Sequence, residues 1–123
     1  MQKGYDVRAL RRGQQAPFYI PPGILTKIEW VAGDILDIVS LDEAMQGVDT
    51  VIHSAGKVSF ADKDRHELFR TNVEGTANVV NTAIETNVKR FVHISSVAAI
   101  GRNALGETVT ETKKWQQGKY NTP

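Results

Sequence analysis

The chain contains no cysteine. That absence removes disulfide frameworks, cysteine-ligated metal centres and thiol nucleophiles in one step, and it fits a reducing, cytoplasmic setting. An excess of one charge sign is also missing: 15 Lys and Arg stand against 14 Asp and Glu, a formal net charge of +1. Nucleic-acid binding draws on concentrated cations. The two basic pairs, Lys89-Arg90 and Lys113-Lys114, read instead as solvated surface. No window approaches the roughly eighteen uncharged apolar residues of a membrane span, and the opening MQKGYDVRALRR lacks the apolar stretch of a secretory leader. Neither nucleic acid nor membrane is expected as a partner. His66-Glu67 does not extend to HExxH, so no metal site is expected.

What is present is enough for one core. The 123 residues are 41% hydrophobic, and no repeat, low-complexity segment or linker divides them. Tyr5 to Leu10 reads as a strand with Tyr5, Val7 and Ala9 on one face. Gln14 to Thr26 carries Pro17, Pro21, Pro22 and Gly23, a density that predicts a connection without regular structure. Ile28 to Ala32 reads as a second strand stopped by Gly33-Asp34. Ser40 and Glu43 have the spacing of a capping box, which predicts a short helix over 41–46 ending at Gly47. Thr50 to Ser54 is an apolar strand. Phe69, Val73, Ala77, Val80 and Ile84 then recur at helical spacing, predicting a helix that uses this stripe as core or subunit contact, with Asn87 as its cap. Arg90 to Ile94 opens a last strand.

Strands and helices thus alternate from Thr50 to Ser96, and the strands are continuous apolar runs, the pattern of a parallel sheet buried on both faces. In such sheets a ligand sits beyond the carboxyl ends of the strands. The residues at those exits are Arg11-Arg12, Gly33-Asp34-Ile35, Ser54-Ala55-Gly56 and Ser95-Ser96. Ala55 and Gly56 let a flat ligand lie against backbone. Asp34 is able to accept from an adenine amino group or a sugar hydroxyl, and Arg11 or Arg12 to bind a phosphate oxygen. Each has a plainer reading: Asp34 as a turn former, the arginines as solvated charges, the serines as a strand end bonded to local backbone. His53 and His93, set within apolar runs, read as satisfied core histidines.

Four blocks, GYDVRALRR, GDILD, DTVIHSAGKVSF and TNVEGTANVV running on to VKRFVHISSVAAIG, occur in an order and spacing that resembles the extended short-chain dehydrogenase/reductases. That family includes nucleotide-sugar epimerases, dehydratases and dihydroflavonol-reductase-like enzymes. The resemblance implies an α/β fold, a partial Rossmann-type NAD(P)-binding domain over residues 1–123. It implies that Asp34 and Ile35 flank the adenine, and that Ser54, Ala55, Gly56 and Lys57 line the nicotinamide-ribose and pyrophosphate side. It further implies that Asn72 supports the active site, that the Ile94 backbone approaches the nicotinamide, and that Ser96 is the catalytic hydroxyl. Asn72 also has the plainer reading of a bond to a neighbouring loop. The cofactor is expected to be NADP or NAD, with NADP favoured by Arg12, and the substrate a small metabolite carrying a carbonyl or hydroxyl. Relatives often pair the helix around 67–87 with a symmetry mate, so a homodimer is expected.

Two departures accompany the resemblance. No GxGxxG or GxxGxxG occurs, so the family's first strand and its glycine-rich turn are missing, and the sheet is expected to carry a gap between the strands at 5–10 and 50–54. The YxxxK segment that holds the family's general acid is expected beyond Asn121-Thr122-Pro123, with Tyr120 the only visible substitute and the stretch around Trp115 a loop. The 123 residues are thus expected to be part of a longer protein. A non-catalytic dinucleotide-binding sensor or scaffold of the same fold is the alternative. A flavodoxin-like or receiver-like domain is disfavoured by the missing acidic cluster and the long 14–26 connection.

Overall fold

The structure, a computed structural model, describes residues 4–15, 17, 19–96, 99 and 108–112. The expectations for Lys113-Lys114, Trp115 and Tyr120 lie outside the described residues. Along the chain run β1 (Val7–Arg11), α1 (Pro22–Leu25), β2 (Ile28–Ala32), α2 (Ile38–Met45), β3 (Thr50–His53), α3 (Arg65–Phe69), a π turn (Arg70–Glu74), α4 (Gly75–Glu85) and β4 (Arg90–His93). Two local expectations need correction. The proline-rich connection contains one helical turn, α1, because Pro22 occupies a first-turn position where its missing N–H has no intrahelical partner to lose. Helix α2 begins three residues earlier than the capping box placed it. Asp37 is the N-cap, its carboxylate accepting from Val39 N at 3.1 Å. Ser40 lies inside the helix, donating to the Asp37 carbonyl at 3.0 Å and accepting from Asp34 N at 3.1 Å. The stops are as expected: Gly47 at φ +71° follows α2 and Asn87 at φ +58° follows α4.

β1 runs parallel to β2 in register from Val7 opposite Ile28 to Arg11 opposite Ala32, and β3 runs parallel to β4 from Thr50 opposite Arg90 to His53 opposite His93. The expected gap is present, since β1 pairs with β2 and β3 with β4 in two separate ladders among the described residues. Both ladders rest on one core. Leu41 and Met45 of α2 and Val79 and Ala83 of α4 form its centre, with Leu10, Val51 and Phe91 reaching it from the strands. Arg8 on β1 adds a polar link, donating to the Ala44 and Gln46 carbonyls at 3.0 and 2.8 Å, where a cation offsets the negative end of α2. The strands are not buried on both faces. Val51 faces the helices, whereas Ile52, next along the chain and so on the opposite face, is 66% exposed.

The apolar stripe on α4 also needs correction as core. Phe69, Val73 and Ile84 are exposed, and the buried positions are Leu68, Gly75, Val79, Thr82 and Ala83. Close approach to the core requires small side chains, and a hydropathy pattern gives those little weight. At Gly75 a Cβ would come within 2.6 Å of Ile35 Cδ1. Gly33 is confined in the same way, where a Cβ would lie 2.6 Å from Leu10 Cδ1 and 3.0 Å from Ser40 Cβ, the latter held by the helix backbone. Gly33→Ala is therefore expected to destabilise the fold by about 1–3 kcal/mol through overpacking, read as a lower urea midpoint at unchanged slope.

Candidate functional site

Parallel pairing sends β3 and β4 out of the sheet at the same end. Ile94 N donates to the His53 carbonyl at 2.9 Å, extending the ladder one step, so the exposed Ser54-Ala55-Gly56 exit leaves beside the exposed Ile94-Ser95-Ser96 exit. The other ladder behaves alike: Gly33 N donates to the Arg11 carbonyl at 3.0 Å, which sets Arg11-Arg12 against Gly33-Asp34.

One short stretch, residues 72–78, joins the β2 and β3 exits. Asn72, in the π turn, accepts from Lys57 N at 2.8 Å and donates to the Lys57 carbonyl at 3.0 Å, so one side chain satisfies both backbone groups of one loop residue. The Thr76 hydroxyl meets His53 Nε2 at 2.9 Å. Asn78 donates to the Ile35 carbonyl at 3.1 Å, beside the close Gly75–Ile35 approach. The Ile35, His53 and Lys57 segments are thereby held to the junction of the π turn and α4. A π turn at this place widens the helix locally and turns Asn72 toward the loop.

The predicted residues differ in what they have available. Asp34 Oδ1 accepts from Leu36 N at 2.9 Å, so the turn reading holds for that oxygen, and Oδ2 has no partner among the described residues. Arg11 is engaged: Nη1 donates to the Gln14 carbonyl at 2.9 Å and the guanidinium lies 5.3 Å from the Trp30 ring centroid. Arg12 is exposed and has no ion-pair partner among the described residues. Lys57 pairs through its ammonium with Glu67 of α3. At Gly56 a Cβ would meet only Asn72 Oδ1, at an ordinary 3.5 Å, so packing does not itself demand glycine there. Ser96 is exposed at the β4 exit and its carbonyl accepts from Ala99 N at 3.0 Å. Ile35 lies partly buried in the turn, as the Asn78 bond requires. His53 is buried and its ring stacks on His93 at 5.4 Å. Burial, and second the charge of His93, hold the His53 imidazole below its ordinary pKa. Among the described residues no group of three His, Asp or Glu side chains is placed to hold a metal.

Sequence reasoning missed Thr76, Asn78, Gly75 and Glu67. The signal was there: Asn72, Gly75, Thr76 and Asn78 form a polar and small-residue run on the helix flank beside the apolar stripe. Replacing Asn72 by Ala leaves the Lys57 N–H and C=O without their partner, an expected loss of about 1–3 kcal/mol for each group that stays dry. Amide exchange at Lys57 is expected to rise with it, while Asn72→Asp, which keeps the acceptor, retains the slower exchange.

Residues 23–121 match the model of the 3-beta hydroxysteroid dehydrogenase/isomerase family. A putative dihydroflavonol 4-reductase of Synechocystis sp. is 38% identical over 91% of this chain and 32% of its own length. Cinnamoyl-CoA reductase 1 of Petunia hybrida is 35% identical over 98% of this chain and 37% of its own. A short-chain dehydrogenase/reductase superfamily protein from Agrobacterium tumefaciens, solved with bound NAD, superposes with a TM-score of 0.74 at 31% identity, covering 95% of this chain and 33% of that one. The chain thus spans about a third of the length of the curated relatives it matches. Its parallel ladders and helices are those of an incomplete Rossmann-type α/β domain. By its family match over 23–121 and these likenesses, the chain belongs to the 3-beta hydroxysteroid dehydrogenase/isomerase family of the extended short-chain dehydrogenase/reductases.

Proposed function

We propose that the protein to which this chain belongs is an NAD(P)-dependent oxidoreductase that acts on the carbonyl or hydroxyl of a small metabolite. The observation that carries the reading is the joining of the strand exits: the 72–78 turn holds the Ile35, His53 and Lys57 segments, and the β4 exit with Ser96 pairs directly beside His53. The donor set fits a dinucleotide. Asp34, its Oδ2 without a partner among the described residues, and Ile35 stand just beyond β2, Ser54-Ala55-Gly56 offers exposed backbone that packing leaves open, and Arg12 is an exposed cation at the β1 exit with no ion pair among the described residues. In this reading Arg12, rather than Arg11, meets the 2′-phosphate of NADP. The cofactor supplies or accepts the hydride at its nicotinamide ring. Ser96 bonds the reacting oxygen, Asn72 keeps the Lys57 loop in place, and Lys57 and Ile94 border the nicotinamide side. The names of the two curated relatives, both reductases, favour carbonyl reduction over epimerisation.

The exposed Phe69, Val73, Ala77 and Ile84 stripe supports a second part of this proposal, a homodimer formed through α4. Sedimentation of the whole protein as a monomer at micromolar concentration removes that part. For the activity, Ser96→Ala in the whole protein is expected to lower turnover by about 10²- to 10⁴-fold with dinucleotide affinity kept, the range for a lost electrophilic or proton-transfer group. The same titration is expected to give a tighter Kd for NADP than for NAD. Unchanged turnover of the folded variant excludes Ser96 from the chemistry, and failure of either dinucleotide to bind the unaltered protein overturns the reading.

A further inference from the structure

Among the described residues, His53 is the buried ionisable side chain that the proposed chemistry leaves unused. Its three attachments lead to two places, the end of β4 and the start of α4. Its backbone carbonyl accepts from Ile94 N at 2.9 Å, its ring stacks on His93 of β4 with centroids 5.4 Å apart and planes 27° apart, and its Nε2 meets the Thr76 hydroxyl of α4 at 2.9 Å. Ser54 follows it directly, and Ile94 follows His93. A residue fixed at three points immediately inside two strand exits restricts how those exits move relative to one another. The Thr76 attachment adds the turn that also carries Asn72, and so the Lys57 loop.

We propose that His53 is a positioning residue, which, through Thr76 and His93 together, sets the Ser54–Lys57 exit against the Ile94–Ser96 exit. The role rests on the functional reading above only for what the two exits carry; the coupling itself is a property of the fold. It has a consequence for pH. The ionisable group facing His53 is His93 on β4; Phe91, on the same strand, is apolar, and from α4 it meets the neutral Thr76 hydroxyl. With His53 held below its ordinary value of 6.5, the folded state takes up fewer protons than the unfolded one, so the arrangement is fully stable above that value and weakens as pH falls below it.

Thr76→Val removes the hydroxyl at constant shape, and Thr76→Ser restores it. Amide hydrogen exchange is followed by NMR in the whole protein. Thr76→Val is expected to speed exchange at Lys57 and Ile94 about tenfold relative to Leu41 in α2, the size of effect that an unpaired buried polar group produces, and Thr76→Ser to return it to the original rate. In the unaltered protein, lowering pH below 6.5 is expected to reduce exchange protection at Lys57 and Ile94 together, and His53→Phe to remove that dependence at Lys57. Equal acceleration at Lys57, Ile94 and Leu41 means general destabilisation and overturns the proposal, as does no acceleration. Absence of dinucleotide binding overturns the functional reading instead and leaves the exchange result to decide this one.

Discussion

The arrangement depends on about two turns of helix. Residues 72–78 make side-chain contacts to two strand exits, through Asn72 to Lys57 and Thr76 to His53 at the end of β3 and through Asn78 to Ile35 beyond β2. Each contact ends on backbone or on a buried ring, so each replaces a hydrogen bond that the exit would otherwise make with water. The π geometry of Arg70–Glu74 and the missing side chain at Gly75 serve the same end. One widens the helix at Asn72, and the other lets it close on Ile35.

In a continuous parallel sheet the ladder itself fixes neighbouring exits, but here β1–β2 and β3–β4 are separate ladders among the described residues. What they share is the core of Leu41, Met45, Val79 and Ala83 on one face. Non-directional apolar contact sets distance well and register poorly. The polar contacts of α4, and the Arg8 bonds to the end of α2, provide the directional part. On the opposite face Ile52 and Val92 are exposed.

Charge is distributed along the rim with similar economy. Arg11 is tied to Trp30 and Gln14, and Lys57 to Glu67, so two of the cations near the exits have local structural partners. Arg12, the next residue and the first beyond β1, is exposed and has no ion-pair partner among the described residues. Asp34 divides its carboxylate between a turn and an open oxygen. The two histidines beneath the rim are stacked with no carboxylate among the groups that act on His53, an arrangement that favours the neutral form.

The order of strands and helices, the second strand, the stops at Gly47 and Asn87 and the gap in the sheet were all legible in the sequence. Backbone restriction by Gly, Pro and Asn and the spacing of apolar residues act locally and leave local marks. The start of α2 was misread because Asp37 and Ser40 are both good caps, and only the Asp34 turn, which uses Ser40 elsewhere, decides between them. The core face of the segment from α3 to α4 was not legible because hydropathy registers Phe69 and Ile84, which are exposed, but not the small residues that let the helix approach the core. Sequence therefore determined which residues stand at the ends of strands. Tertiary structure alone decided which of them are joined, which charges remain open, and that Thr76 and His53 meet, because those contacts link residues far apart in the chain whose pairing depends on how two helices settle on two ladders.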